Sequence, residues 1–88
     1  MPEKVRVIVY SKPGCHLCEE AKAVILSSGC ETLFTLTEVN IETDPKLKRK
    51  YQYDIPVVAI NGLETFMHRV DAREFCGEIQ RVSTDYKD

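Results

Sequence analysis

The stretch VRVIVYSKPGCHLCEEAKAVI, residues 5–25, decides how the chain folds. Its first residues are mostly β-branched and alternate along the chain, which predicts a strand over residues 4–10. Serine, lysine, proline and glycine then form a loop. Beyond the loop, apolar residues recur at helical spacing, which predicts a helix from about Cys15 to Ser28. The apolar positions of this helix are Leu17, Ala21, Val24 and Ile25.

Further elements follow this unit without a linker or an internal repeat. We predict a strand over 35–41 and then a helix over 44–53 that begins at Asp44-Pro45. A strand over 57–60 follows, and the turn Asn61-Gly62 leads into a returning strand over 64–69. A last helix is capped by Asp71. The first two strands need a parallel crossover, whereas the hairpin adds antiparallel strands. The order βαβ-α-ββ-α predicts an α/β protein with a four-stranded mixed sheet flanked by three helices, which is the thioredoxin fold in its minimal form. We expect one domain over residues 1–88 with a polar tail from about 83.

Composition and charge narrow the function classes. The chain is 43% apolar and 30% charged with a net charge of −2, which is typical of an ordinary globular domain. The basic run over 46–50 is interpreted as a solvated helix face, so no nucleic-acid partner is expected. The longest apolar stretch is too short to span a bilayer, and no leader pattern is present, so we expect a cytoplasmic monomer without a membrane partner.

The spacing of Cys15 and Cys18 is suited to disulfide exchange. Residues three apart on a helix lie on the same side, close enough to form a disulfide. Cys15 is expected at the helix N-terminus, where the N–H groups and the helix dipole favour a thiolate. Cys18 lies one turn further in and is better suited to resolve a mixed disulfide. Lys12 either adds positive potential near Cys15 or is a solvated loop residue.

The other cysteines and the histidines do not suggest a metal site. Zinc needs four ligands, and Cys30 lies about 20 Å from Cys15 at the far end of the same helix. We interpret Cys30 as a surface thiol and Cys76 as a small core residue. Mild oxidation is therefore expected to link Cys15 to Cys18 and to spare Cys30 and Cys76. His16 either tunes the redox potential or is simply exposed to solvent.

A second motif, Asp54-Ile55-Pro56-Val57-Val58, opens the third strand. In combination with Cys-x-x-Cys after the first strand, this is where thioredoxin folds place a cis-proline beside the dithiol. We therefore expect a cis bond before Pro56. The backbone N–H and C=O of Ile55 are expected to pair with an extended substrate.

The motifs together resemble those of a glutaredoxin. The resemblance rests on Ser11-Lys12-Pro13-Gly14-Cys15-x-x-Cys18 followed by Ile55-Pro56-Val57-Val58-x-Ile60-Asn61-Gly62. More narrowly, Cys-x-Leu-Cys-Glu-Glu-Ala-Lys and Met67-His68-Arg69-Val70 are similar to a branch of short glutaredoxin-like proteins. The resemblance implies a nucleophile at Cys15, a resolving thiol at Cys18 and a cis bond before Pro56.

Two departures from ordinary glutaredoxins bear on glutathione. His16-Leu17 replaces Pro-Tyr between the cysteines, and His68-Arg69-Val70-Asp71 replaces Gly-Gly-x-Asp. Only Asp71 keeps the family's carboxylate-binding pattern, although Arg69 offers an alternative clamp or is merely solvated. We therefore expect no bound cofactor and only weak use of glutathione as a co-substrate.

The sequence thus predicts an oxidoreductase that exchanges protein or small-molecule disulfides and is regenerated by a thiol reductant system. Two alternatives remain open at this point. One is a glutaredoxin relative that binds an iron–sulfur cluster or a metal. The other is a thioredoxin-fold interaction module without catalytic activity.

Overall fold

Strands and helices succeed one another in the predicted order. A computed structural model describes residues 4–85 of the chain. The main elements are β1 (Val5–Ser11), α1 (His16–Leu26), β2 (Phe34–Asn40), α2 (Pro45–Tyr51), β3 (Val57–Ile60), β4 (Leu63–Met67) and α3 (Ala72–Asp85). Two short 3₁₀ turns that the sequence pattern did not predict lie on either side of β2, at Glu31–Leu33 and Ile41–Thr43.

The four strands form one mixed sheet in the order β2-β1-β3-β4. β1 runs parallel to β2, with Val5 opposite Phe34, and antiparallel to β3, with Tyr10 opposite Val57. β3 runs antiparallel to β4. The predicted α/β class, with a four-stranded mixed sheet and three helices, is confirmed.

Alternation along the strands divides the buried side chains into two clusters, because successive residues of a strand point to opposite faces of the sheet. The larger cluster joins β1 and β3 to α1 and α3. Its buried members are Val5, Val7, Val9, Ile25, Cys30, Phe34, Val58, Ile60, Phe75 and Ile79. The smaller cluster lies at the end of the sheet that carries the Cys15 loop, and its buried members are Cys18, Ile41, Tyr51, Ile55 and Val57.

Local capping signals are confirmed at several junctions. The side chain of Asp44 accepts from the N–H of Lys46 at 2.9 Å, and the side chain of Asp71 accepts from the N–H of Glu74 at 3.0 Å. Asn61 and Gly62 both adopt positive φ, at 50° and 88°, as a tight hairpin turn requires. These residues fix where α2 and α3 begin and where the chain reverses.

Several predicted boundaries differ from the observed ones by one or two residues, and two of these differences have a local cause. α2 ends at Tyr51 instead of residue 53, because the Tyr51 carbonyl accepts from the N–H groups of Asp54 and Ile55 in a turn. β4 ends at Met67 instead of residue 69, because His68 has a φ of 68° and leaves the extended conformation. α3 continues to Asp85, and residues 86–88 of the predicted polar tail lie outside the described part of the chain.

None of the helices within residues 4–85 is long and apolar enough to cross a membrane.

Candidate functional site

Cys15 occupies the N-cap position of α1. Its backbone is extended, at φ −87° and ψ 110°, and its Sγ accepts a hydrogen bond from the N–H of Cys18 at 3.2 Å. The N–H groups in the first turn of a helix lack intrahelical acceptors, and they carry the positive end of the helix dipole. A sulfur held here is therefore better stabilised as a thiolate than as a thiol.

Cys15 and Cys18 are joined by a disulfide, with their Cα atoms 5.2 Å apart. The two sulfurs differ in access to solvent, since Cys15 is partly exposed whereas Cys18 has an exposed fraction of 0%. An external disulfide can therefore approach Cys15 but not Cys18. The predicted juxtaposition of the two cysteines is present in the structure.

Two tyrosines pack in the cluster that contains Cys18. The rings of Tyr10 and Tyr51 stack with centroids 4.6 Å apart within the same buried cluster. The Tyr51 hydroxyl donates to the Glu64 carboxylate on β4, and the Lys50 ammonium lies 3.3 Å from that carboxylate. Burial, together with this hydrogen bond, raises the pKa of the Tyr51 hydroxyl, so Tyr51 remains a neutral donor. α2 is thereby anchored to β4 across the cluster that holds Cys18.

The Ile55–Pro56 bond is cis, as the combined motifs predicted. Pro56 is fully buried, and Ile55 belongs to the same cluster as Cys18. One part of the prediction for Ile55 is wrong. Its N–H donates to the Tyr51 carbonyl at 3.1 Å and is not available to a substrate chain. The Pro56 carbonyl accepts from the N–H of His68 at 2.9 Å, which ties the β4–α3 connection to the proline.

The β4–α3 connection forms one wall of a cavity along α1. The cavity has a volume of about 140 Å³. The residues that line it are Leu17, Glu20, Ala21 and Val24 of α1 with His68, Arg69 and Val70 of the connection. Arg69 therefore lies beside the residue that precedes Cys18, whereas Asp71 caps α3 and does not line the cavity. The structure places Arg69 in a cavity with Leu17, the residue before Cys18, and gives Asp71 a capping contact.

A polar cluster lies on the other side of the Cys15 loop. The Ser11 hydroxyl donates to the Glu38 carboxylate at 2.8 Å, and the Lys22 ammonium lies 3.0 Å from that carboxylate. These two contacts hold the pKa of Glu38 below its usual range. Lys12 is exposed and lines a cleft with Ser11 and Glu38, and its carbonyl accepts from the N–H of Cys15 at 3.4 Å. The sequence pattern did not predict this cluster, because the Ser11–Glu38 contact depends on the register of β1 with β2 and the Lys22–Glu38 contact on the packing of α1 beside β2.

The structure corrects the interpretation of the remaining cysteines. Cys30 is only 4% exposed, so it is not a surface thiol, and its sulfur is bonded to that of Cys76. Both residues contribute to the larger core cluster. The prediction that oxidation spares this pair is therefore wrong. No short-range spacing signals a contact between cysteines 46 residues apart.

Within residues 4–85, no group of three or more His, Cys, Asp or Glu side chains is placed to hold a metal ion. His16 is exposed at the start of α1, and His68 is exposed in the β4–α3 connection.

Comparisons with known proteins agree with this geometry. The sequence profile of the glutaredoxin-like domain family (DUF836) matches residues 6–80. The chain is 27% identical over 86 residues to the glutaredoxin-like protein YDR286C homolog of Dictyostelium discoideum, covering 91% of this chain and 80% of that protein.

Solved structures show the same fold. The structure of protein Ne2328 from Nitrosomonas europaea has a TM-score of 0.74 at 28% identity and covers 89% of this chain and 94% of that one. The structure of protein XcR50 from X. campestris has a TM-score of 0.73 at 20% identity, and the match covers 85% of this chain and 96% of that one. The germline-specific thioredoxin Deadhead of Drosophila melanogaster has a TM-score of 0.61 at 12% identity, and the match covers 90% of this chain and 81% of that one.

Proposed function

Since the chain belongs to the glutaredoxin-like domain family (DUF836), we propose that it is a thiol–disulfide oxidoreductase with Cys15 as nucleophile and Cys18 as resolving thiol. The observation that carries the proposal is the unequal access to two adjacent sulfurs. Cys15 is partly exposed at a helix N-terminus, and Cys18 is buried one turn behind it. A catalytic dithiol needs one sulfur that meets the substrate and one that is shielded until the mixed disulfide forms.

The reaction follows from these positions. In the reduced protein, the Cys15 thiolate attacks one sulfur of a substrate disulfide, forms a mixed disulfide and expels the other substrate sulfur as a thiolate that takes up a proton. Cys18 then loses its proton and attacks the Cys15 sulfur. The second substrate thiol leaves, and the Cys15–Cys18 disulfide remains. Two electrons and two protons pass from the protein to the substrate, and an external thiol reductant restores the dithiol.

The substrate class follows from the surroundings of Cys15. We propose that protein and small-molecule disulfides both react, because the Cys15 sulfur is partly exposed whereas Cys18 is buried. Lys12 is an exposed cation three residues before Cys15, so substrates with a carboxylate near the disulfide are favoured. At Ile55, only the carbonyl is proposed to meet an extended substrate, since the N–H is already bonded to Tyr51.

Glutathione is proposed to be a weak co-substrate. Its γ-glutamyl carboxylate needs close approach to bare backbone in ordinary glutaredoxins, and side chains of His68, Arg69 and Val70 occupy the corresponding stretch. We propose that the protein acts as a monomer in the reducing environment of the cytoplasm, without a bound cofactor.

Single cysteine variants test the assignment of roles. Cys15→Ser is expected to lower the rate of disulfide reduction by at least about a thousandfold, because the attacking sulfur is lost. Cys18→Ser is expected to accumulate covalent mixed disulfides with substrate, because resolution fails. The rate of reduction of a model protein disulfide and non-reducing mass spectrometry measure the two outcomes. The matched control is Cys30→Ala/Cys76→Ala, which keeps the dithiol and should keep the exchange rate of the parent.

Retention of activity in Cys15→Ser would contradict the proposal, as would trapping of substrate on Cys15→Ser in place of Cys18→Ser. A visible absorption band in the purified protein would instead indicate a bound cluster.

A further inference from the structure

Cys30 and Cys76 meet at the end of α1 remote from the Cys15 site. Cys30 follows α1 and precedes the 3₁₀ turn Glu31–Leu33, and Cys76 lies in α3. Their Cα atoms are 6.0 Å apart, within the range that a disulfide spans without movement of the backbone. α1 has 11 residues and is therefore about 16 Å long, so the two cysteine pairs lie too far apart to exchange directly.

The surroundings of this second pair suit both of its redox forms. Ser28 provides polar contacts, since its hydroxyl lies 3.3 Å from Cys30 Sγ and its carbonyl lies 3.3 Å from Cys76 Sγ. A reduced Cys76 thiol can donate to this carbonyl, so reduction leaves no polar group without a partner. Cys30 is 4% exposed, whereas Cys76 is partly exposed. A small reagent can therefore reach Cys76, but a folded protein substrate cannot reach Cys30.

We propose that Cys30 and Cys76 are a second, reversible redox site whose disulfide controls the stability of the fold. The oxidant is a low-molecular-weight disulfide. The Cys76 thiolate attacks it, forms a mixed disulfide and releases one small thiol. Cys30 then attacks the Cys76 sulfur, forms the Cys30–Cys76 bond and releases the second small thiol. Two protein thiols are oxidised, one small disulfide is reduced to two thiols, and the protons of the cysteines pass to the leaving thiolates.

The position of the crosslink determines its effect. It closes a loop with a sequence separation of 46 residues that contains β2, α2, β3 and β4. Closing a long loop restricts the unfolded chain far more than the folded one, so the folded state gains stability. The bond leaves the Cys15 loop untouched. It therefore changes the melting temperature and not the exchange reaction, and this inference holds whether or not Cys15 is catalytic.

The variant Cys15→Ala/Cys18→Ala isolates the second pair. After reduction, removal of the reductant and incubation with oxidised glutathione, we expect the loss of two titratable thiols per chain under denaturing conditions. Non-reducing peptide mapping should find the peptides of Cys30 and Cys76 joined. The melting temperature should rise by about 10–20 °C over that of the reduced form. The matched control Cys15→Ala/Cys18→Ala/Cys76→Ala should keep its melting temperature in the same treatment.

Several outcomes would overturn the proposal. They are retention of both thiols, attachment of glutathione to Cys76 without a crosslink, and a crosslink that leaves the melting temperature unchanged. If the alanine variant does not fold, the same oxidation is performed on the unaltered chain. In the unaltered chain we expect four thiols to be lost and two separate crosslinks to form. A crosslink between Cys15 and Cys30 would overturn the proposal.

Discussion

Cys15 and Cys18 lie three residues apart at the first turn of α1, whereas Cys30 and Cys76 lie 46 residues apart and join the end of α1 to α3. The Cα separations are similar, at 5.2 Å and 6.0 Å. What differs is the surroundings. One pair has a sulfur at a helix N-terminus that faces solvent, and the other pair is packed among the apolar side chains of the larger cluster. The two cysteine pairs therefore differ in the electrostatics and solvent access of one sulfur and not in the proximity of the two residues.

The largest expected difference between the pairs is in thiol reactivity. In the fully reduced protein at pH 6, Cys15 should alkylate faster than Cys18, Cys30 or Cys76 by a factor on the order of thirtyfold, because helix-terminal N–H groups stabilise its thiolate. Alkylation rates between pH 5 and pH 8, followed by mass spectrometry of the separated peptides, measure this difference. Cys18→Ala serves as the control, since it leaves the N-cap position of Cys15 in place.

Equal alkylation rates of Cys15 and Cys30 between pH 5 and pH 8 would contradict this expectation, because the helix N-terminus would then have no effect on thiol reactivity.

A smaller effect, on the rate with glutathione, is expected from changes in the cavity between α1 and the β4–α3 connection. Changing His68 and Arg69 together to glycine should raise the glutathione-dependent rate on a small mixed disulfide by about tenfold, since one recovered charge-assisted contact is worth about 1.5 kcal/mol. The φ of His68 is already 68°, a conformation that glycine adopts without cost. A glutathione-coupled assay measures the rate. Arg73→Ala, which removes an exposed cation of α3 outside the cavity, is the matched control.

A fall in the glutathione-dependent rate of the double glycine variant would contradict this expectation and would make Arg69 a working carboxylate clamp.

The smallest expected effect concerns the polar cluster behind the Cys15 loop. The pKa of Glu38 is lowered in the folded protein by the Ser11 hydroxyl and by Lys22, so the carboxylate stabilises the fold above its ordinary pKa of 4.5. This contribution is lost as the pH falls through the lower pKa of the folded state. Because the carboxylate is 44% exposed, we expect only about 0.5 kcal/mol. The melting temperature of Glu38→Gln should therefore be slightly lower than that of the parent at pH 7 and equal to it near pH 3.

Thermal melts of Glu38→Gln and of the parent between pH 3 and pH 7 measure this difference in stability. Glu42→Gln, which changes an exposed position after β2, is the control. A difference in melting temperature that persists unchanged at pH 3 would contradict the ionic origin.

The sequence predicted what depends on short spacings. The Cys-x-x-Cys motif, the Asn61-Gly62 turn and the caps Asp44 and Asp71 act within a few residues, so each could be identified without the fold. The cis bond before Pro56 was predicted because two motifs supported each other.

What the sequence could not predict depends on contacts between distant segments. The Cys30–Cys76 contact needs the packing of α3 against the end of α1, and the Ser11–Glu38 contact needs the register of β1 with β2. The engagement of the Ile55 N–H by Tyr51 depends on how α2 ends. In each case the residue types are ordinary, and only their placement gives them a role.

The Cys30–Cys76 bond also sets how far the chain can be pulled out. A sequence separation of 46 residues is enclosed by the bond, which corresponds to about 160 Å of extended polypeptide. An unfolding machine that draws the oxidised protein by one end therefore meets a closed ring instead of a single strand. It must pass two strands of chain side by side through its pore or wait for reduction. The redox state of the Cys30–Cys76 bond thus decides whether this part of the chain is threaded as one strand or as two.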